Sequence, residues 1–206
     1  MAKGWLTWQV ARIAGSEVWL FRVSFAGELG WELHSRLKDT PVVWDAVMAA
    51  GFGHGLRPFG MFALNSLRVE KGYRAWKGDL STDYTVLQGG LERFVDWSKD
   101  AFRGKAALLA EKQAGVVKRF CTLIIEAGDQ DPPYMSTIWH QGRVVGEVTS
   151  GYWGHRVGAC VGLGMLAVEV NVPGTSVEVE VFGTRYPAVV QADAPLWDAG
   201  NLRIRG

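Results

Sequence analysis

An α+β fold that passes into an all-β region is what this 206-residue sequence predicts, and three observations carry the prediction. Helix-period apolar stripes occur only before residue 116, strand-period runs crowd the segment after it, and glycine or proline breaks punctuate both. The organisation expected is therefore an α+β domain over 1–116 and a β-barrel domain over 117–206. With 48% apolar residues, a chain of this length can bury a substantial core.

Trp5 to Ile13 and Val18 to Phe25 read as strands around Gly15-Ser16, an opening hairpin. Gly27 to His34 continues as a turn and a third strand. At Thr40-Pro41 the period changes: Thr40 suits an N-cap, Pro41 the first helical position, and Val43, Trp44, Val47 and Met48 an apolar stripe. A second helix starts at Pro58 and carries Met61, Leu64, Leu67 and Arg68 on one stripe. A third fits Lys105 to Ala114, stopped by Gly115. Beyond it Arg119–Glu126, Thr137–Thr149 (turning at Gln141-Gly142), Ala159–Leu166, Ser176–Phe182 and Arg185–Gln191 read as strands. Val177, Val179 and Val181 alternate with Glu178 and Glu180, which gives one wet face. Ser150 to Arg156 reads as a glycine-rich turn, the alternative being a loop whose aromatic and basic groups line a cleft.

Composition excludes several functions. A net charge of +1 gives no reason to expect nucleic acid or a membrane surface as partner. The N-terminus lacks the apolar core of a signal peptide, so a cytoplasmic location is expected. Cys121 and Cys160 stand far apart and read as reduced core residues. His34, His54, His140 and His155 are scattered without ligand spacing, so no metal is expected. No dinucleotide fingerprint, P-loop or nucleophile elbow is present. Glu17, Glu92 and Asp96 read as solvated charges.

Two segments remain. In Phe25-Ala26-Gly27-Glu28-Leu29-Gly30-Trp31-Glu32-Leu33 the glycines allow a tight path around Glu28, whose carboxylate could accept hydrogen bonds from a flat heterocycle. A hairpin turn with a solvated glutamate is the plainer alternative. In the run from Leu64 to Asp79, Arg68 lies on the apolar stripe and must be paired, by a ligand or by Glu28, Glu32 or Glu70. Tyr73 and Trp76 would supply aromatic surface beside it.

In this order and separation the two segments resemble the glycine-cleavage T-protein (aminomethyltransferase) family. Gly27 to Leu33 is similar to its Gly-Glu-x-Gly-x-Glu motif. Leu56-Arg57-Pro58-Phe59-Gly60 and Ala63 to Trp76 are similar to its Leu-Arg-Pro-x-Gly and Asp-Ser-Leu-Arg-x-Glu run, with Asn65 in place of the Asp. Phe102 to Leu108 and Gly146-Glu147-Val148-Thr149-Ser150-Gly151 resemble two later motifs. Lys71 to Trp76 looks closest to the dimethylglycine and sarcosine dehydrogenase branch.

The resemblance implies a folate-binding lobe, here incomplete, followed by a β-barrel, and a tetrahydrofolate site with Glu28 on the pterin, Arg68 pairing an acidic group, and Trp76 and Tyr73 as aromatic wall. The activity implied is one-carbon transfer, in which a methyl or methylene group leaves a methylated amine or aminomethyl carrier for tetrahydrofolate. Family members carry a long segment before the first motif, with the acidic residue regarded as the general acid, so no catalytic residue is assigned. A partner chain supplying that lobe or a flavin domain is the corresponding expectation. The alternatives are a non-catalytic interaction subunit and a piece of a folate-dependent O- or S-demethylase.

Overall fold

A computed structural model describes residues 4–205; Met1 to Lys3, part of the N-terminus read above as leader-free, lie outside that range. β1 (Trp8–Ile13) and β2 (Ser16–Phe21) form the expected hairpin. It turns at Ala14-Gly15, where both residues have positive φ, the two-residue geometry that suits strand twist. β3 (Glu32–His34) pairs on the other side of β2. The hairpin is shorter than the sequence predicts, because the ladder ends at Arg22. Its guanidinium turns inward to the carbonyl oxygens of Gly30 (3.1 Å) and Ile204 (2.8 Å).

α1 (Thr40–Phe52) begins at Thr40 rather than after it, with Asp39 as N-cap and no side-chain capping bond. The Thr40 hydroxyl instead donates backward to the Arg36 carbonyl (3.3 Å). Of the stripe expected on α1 only Val43 is buried, and Trp44 is exposed. α2 (Met61–Glu70) also departs from its stripe: Met61 is exposed, and Ser66, Arg68, Val69 and Glu70 are buried. Only the C-terminal half of the helix lies on the barrel, where the Ser66 hydroxyl donates to the Trp153 carbonyl (2.5 Å). α3 (Lys105–Ala114) is as the sequence predicts.

The second half is a closed six-stranded antiparallel barrel. Its strands are β4 (Lys118–Ile125), β5 (Ser136–His140), β6 (Arg143–Gly154), β7 (Ala159–Ala167), β8 (Ser176–Val181) and β9 (Thr184–Val190). Their order is β4-β7-β6-β5-β8-β9, and β9 closes on β4 through Leu123↔Val190 to Ile125↔Ala188. Val177, Val179 and Val181 enter the core while Glu178 stays in water, the predicted period of two. Closure leaves no free edge.

The segment from Ser150 is a correction. It is not a turn but the end of β6, and the turn follows at residues 155–158. A bulge between Val148 and Ser150 adds twist there and re-aims side chains. Just before the bulge, β6 and β7 approach so closely that a Cβ on Gly164 would collide with the Glu147 carbonyl oxygen. Gly164→Ala is therefore expected to lower the urea midpoint, by about 1–3 kcal/mol of stability; an unchanged midpoint would contradict that packing.

Cys121 and Cys160 are buried free thiols, each pushed up to about 12 chiefly by burial. Among the described residues no helix is long and apolar enough to cross a membrane.

Candidate functional site

The junction between the two halves is built on Arg68 and Asp79. The Arg68 guanidinium, 3% exposed, donates to Asp79 Oδ2 (2.7 Å), Ser150 Oγ (2.7 Å), Asn65 Oδ1 (3.1 Å) and the Tyr73 carbonyl (3.1 Å). Asp79 is fully buried and accepts as well from the hydroxyls of Thr149 (2.5 Å) and Ser150 (2.8 Å) and from the Ala75 amide (2.7 Å). Neighbouring residues in a strand normally face opposite ways; the bulge in β6 is what lets Thr149 and Ser150 reach one carboxylate. The sequence expectation that Arg68 needs a carboxylate is met, but by Asp79 and not by Glu28, Glu32 or Glu70. Asn65, which departs from the family Asp, keeps an acceptor on Arg68.

Glu28 sits in a second network. Gly27, with φ +76°, packs so tightly on the Lys71 side chain that a Cβ would collide with it, and this fixes the turn that presents Glu28. The carboxylate, one-third exposed, accepts from Arg156 (2.8 Å) and Arg203 (2.6 Å). Burial pushes its pKa up, but bonds and charge from Arg203 and Arg156 outweigh that and hold it below the ordinary value. Stability from these pairs is thus present above the unfolded carboxylate value and lost only as pH falls through the lower folded one.

Arg156 also donates to the carbonyls of Ala26 (3.2 Å) and Leu67 (2.8 Å) and through Nε to Glu70. The fully buried Glu70 carboxylate accepts further from the amides of Arg156 (2.6 Å) and Val157 (3.1 Å). One arginine on the barrel therefore ties together the Glu28 turn and α2.

Between these networks and the start of β4 lies a cavity of about 660 Å³, walled by Phe25, Tyr73, Arg74, Arg93, Phe94 and Phe120 among others, a size ordinary for small-molecule sites. Phe25 and Tyr73 stack with ring centroids 6.0 Å apart. Burial raises the Tyr73 phenol above its ordinary value, so it stays a neutral hydrogen-bonding group at neutral pH. The C-terminal segment, ending in the single turn α4 (Leu202–Arg205), closes one side. Lys71, with a buried side chain, clamps it by donating to the Asp198 carbonyl (2.8 Å) and Asn201 Oδ1 (3.0 Å).

Of the residues singled out from sequence, Tyr73 lines the cavity, Glu28 is outside its lining and pairs with Arg203 of the C-terminal segment, and Arg68 is buried against Asp79 and Ser150. Trp76, on the Tyr73–Asp79 loop, is 70% exposed. Sequence reading did not single out Asp79 or Arg156, the latter concealed in an apparent turn, and it offered Glu70 as a partner for Arg68, whereas the structure pairs Glu70 with Arg156. Glu92, read as solvated, is half-buried and accepts from Arg119 (2.6 Å).

Two family models match the chain: the GCVT N-terminal domain over residues 1–99 and the glycine cleavage T-protein C-terminal barrel domain over 118–198. The chain belongs to the glycine-cleavage T-protein family. It is 37% identical over 195 residues to mitochondrial dimethylglycine dehydrogenase of Mus musculus, covering 94% of this chain and 22% of that protein. Mitochondrial sarcosine dehydrogenase of Mus musculus is 35% identical over 209 residues, covering 97% and 22%. An aminomethyltransferase of Frankia alni is 38% identical over 176 residues, covering 85% and 48%. In fold the chain is similar to the glycine cleavage system aminomethyltransferase T of Bartonella henselae, with a TM-score of 0.79 at 24% identity over 88% of this chain and 50% of that one. The chain thus spans about a fifth of the dehydrogenases and about half of the aminomethyltransferases.

Proposed function

We propose that the chain is a tetrahydrofolate-binding module for one-carbon transfer, taking a methyl or methylene group that leaves a small methylated amine or an aminomethyl carrier. The observation that carries this reading is that Arg156 and the Phe25–Tyr73 stack bring the Glu28 turn and the Tyr73–Asp79 loop to one place. Bound tetrahydrofolate would supply the nucleophilic N5 that captures the one-carbon unit. Glu28, ionised and part-exposed, keeps acceptor capacity beyond its two arginines for ring N–H groups. Tyr73 and Trp76 offer aromatic surface. Arg68 acts as a positioning residue, holding the loop that carries both. The chain's own contribution is orientation and electrostatics.

Tryptophan fluorescence during titration with tetrahydrofolate tests the assignment. Saturable quenching is expected, weakened about tenfold or more in Glu28→Gln, the loss of one charge-assisted contact. Equal affinity of that variant and the wild type would remove Glu28 from the site.

A second reading, an interaction subunit that completes a partner chain's folate lobe or docks a flavin domain, is favoured by the outer face of the β1–β2 hairpin. Trp8 and Trp19 stack there with centroids 5.0 Å apart beside Val10, all three exposed, and such apolar patches mark interaction sites. Under that reading the folded chain alone leaves tetrahydrofolate unbound and acquires binding only when mixed with its partner.

A further inference from the structure

The acid-pairing role that the resemblance gives to Arg68 asks for a guanidinium with a free edge, and four of the five Arg68 N–H donors are already held by the protein. Arg74 has not. It lines the cavity with its guanidinium carbon 3.7 Å from the Phe120 ring centroid, and its side chain is only 12% exposed. Its buried Nε has no acceptor, its contact with the Gly72 carbonyl is long at 3.4 Å, and its ion pair with the mostly exposed Asp193 is longer still at 3.8 Å. Burial pulls its pKa below the ordinary arginine value, and Arg93, on the same cavity wall, opposes its charge. A nearly buried cation with such poor pairing is destabilising until an anion reaches it. The surrounding walls, Phe25, Tyr73 and Phe94, are flat and apolar.

We propose that Arg74, with Arg93 beside it, is a carboxylate subsite of the cavity, which takes an aromatic carboxylic acid with its ring against the Phe25–Tyr73 wall. The incoming carboxylate takes the place of the loosely held Asp193. This rests on the folate reading in so far as the benzoyl-glutamate end of a folate is an acid of this class, but it needs no pterin.

Calorimetric titration of the chain with p-aminobenzoyl-glutamate, with neutral p-aminobenzamide as comparison, tests it. The acid is expected to bind saturably and the amide to bind about tenfold more weakly or not at all. Arg74→Gln should cost about tenfold in acid affinity, and Asp193→Asn, which frees the guanidinium without removing it, should tighten the acid about threefold. Acid and amide binding alike, acid affinity unchanged in both variants, or no binding to the folded wild type would overturn the subsite. Should Arg74→Gln fail to fold, Asp193→Asn alone decides. A parallel titration with tetrahydropterin, which has no acid, separates the two ideas: its failure strikes the Glu28 assignment and leaves the subsite standing.

Discussion

Asp79→Ala is expected to cost about 3–5 kcal/mol of folding stability, because it strands a buried guanidinium without its counter-ion. Arg68 is 3% exposed, so water cannot replace the lost carboxylate. The Ser150 hydroxyl and the Ala75 amide lose their acceptor at the same moment, while the Thr149 hydroxyl keeps the Leu163 carbonyl (3.2 Å), and each group left unsatisfied adds to the cost. Urea unfolding reads the effect directly. The double variant Arg68→Ala/Asp79→Ala should be less destabilised than the sum of the two singles, with a coupling of about 0.5–3 kcal/mol. A loss under about 1 kcal/mol for Asp79→Ala, the range of exposed ion pairs, would show that the junction is wetter than the structure has it.

Glu70→Gln should have the second-largest effect, and it reaches the candidate site although Glu70 lies beneath it. Three donors converge on the Glu70 carboxylate: the Arg156 amide, Arg156 Nε and the Val157 amide. A glutamine has one acceptor oxygen and must turn its NH₂ toward at least one of those donors. The expected loss is about 3 kcal/mol, at the lower end for breaking a buried pair, since Arg156 retains Glu28 as a second carboxylate. Because the same arginine orients Glu28, tetrahydrofolate affinity should fall with stability. Weakened binding in a variant brought back to full folding by lower temperature would separate this positioning effect from simple unfolding; normal binding under those conditions would confine Glu70 to the fold.

Much of the architecture was legible because it depends on period. The alternation from Val177 to Val181 announces a barrel strand, and Lys105 to Ala114 reads as a helix from composition alone. α1 and α2 were legible as helices but not in their buried faces, since those depend on what packs against them. Met61 has the apolar side chain and the right spacing yet meets no partner, whereas Glu70 is sealed inside by an arginine 86 residues away. The sequence motifs singled out Glu28 and Arg68. The partners of both were harder to read: Ser150 and Arg156 are aimed by a one-residue bulge and a strand end, which leave no compositional mark, and Asp79 and Arg203 reach Arg68 and Glu28 only through the folded loop and the C-terminal segment. Arg74 lies inside the Lys71 to Trp76 run with nothing in the sequence to mark it, because what sets it apart from Arg68 is the absence of a close acceptor, which is a fact of packing.

The central claim is that this chain holds a tetrahydrofolate site, and calorimetric titration of the folded wild-type chain with tetrahydrofolate meets it most directly. The account predicts a saturable isotherm with one ligand per chain. A protein that is folded by circular dichroism and gives no binding heat up to about millimolar ligand, where the binding free energy falls to only about 4 kcal/mol, would contradict it.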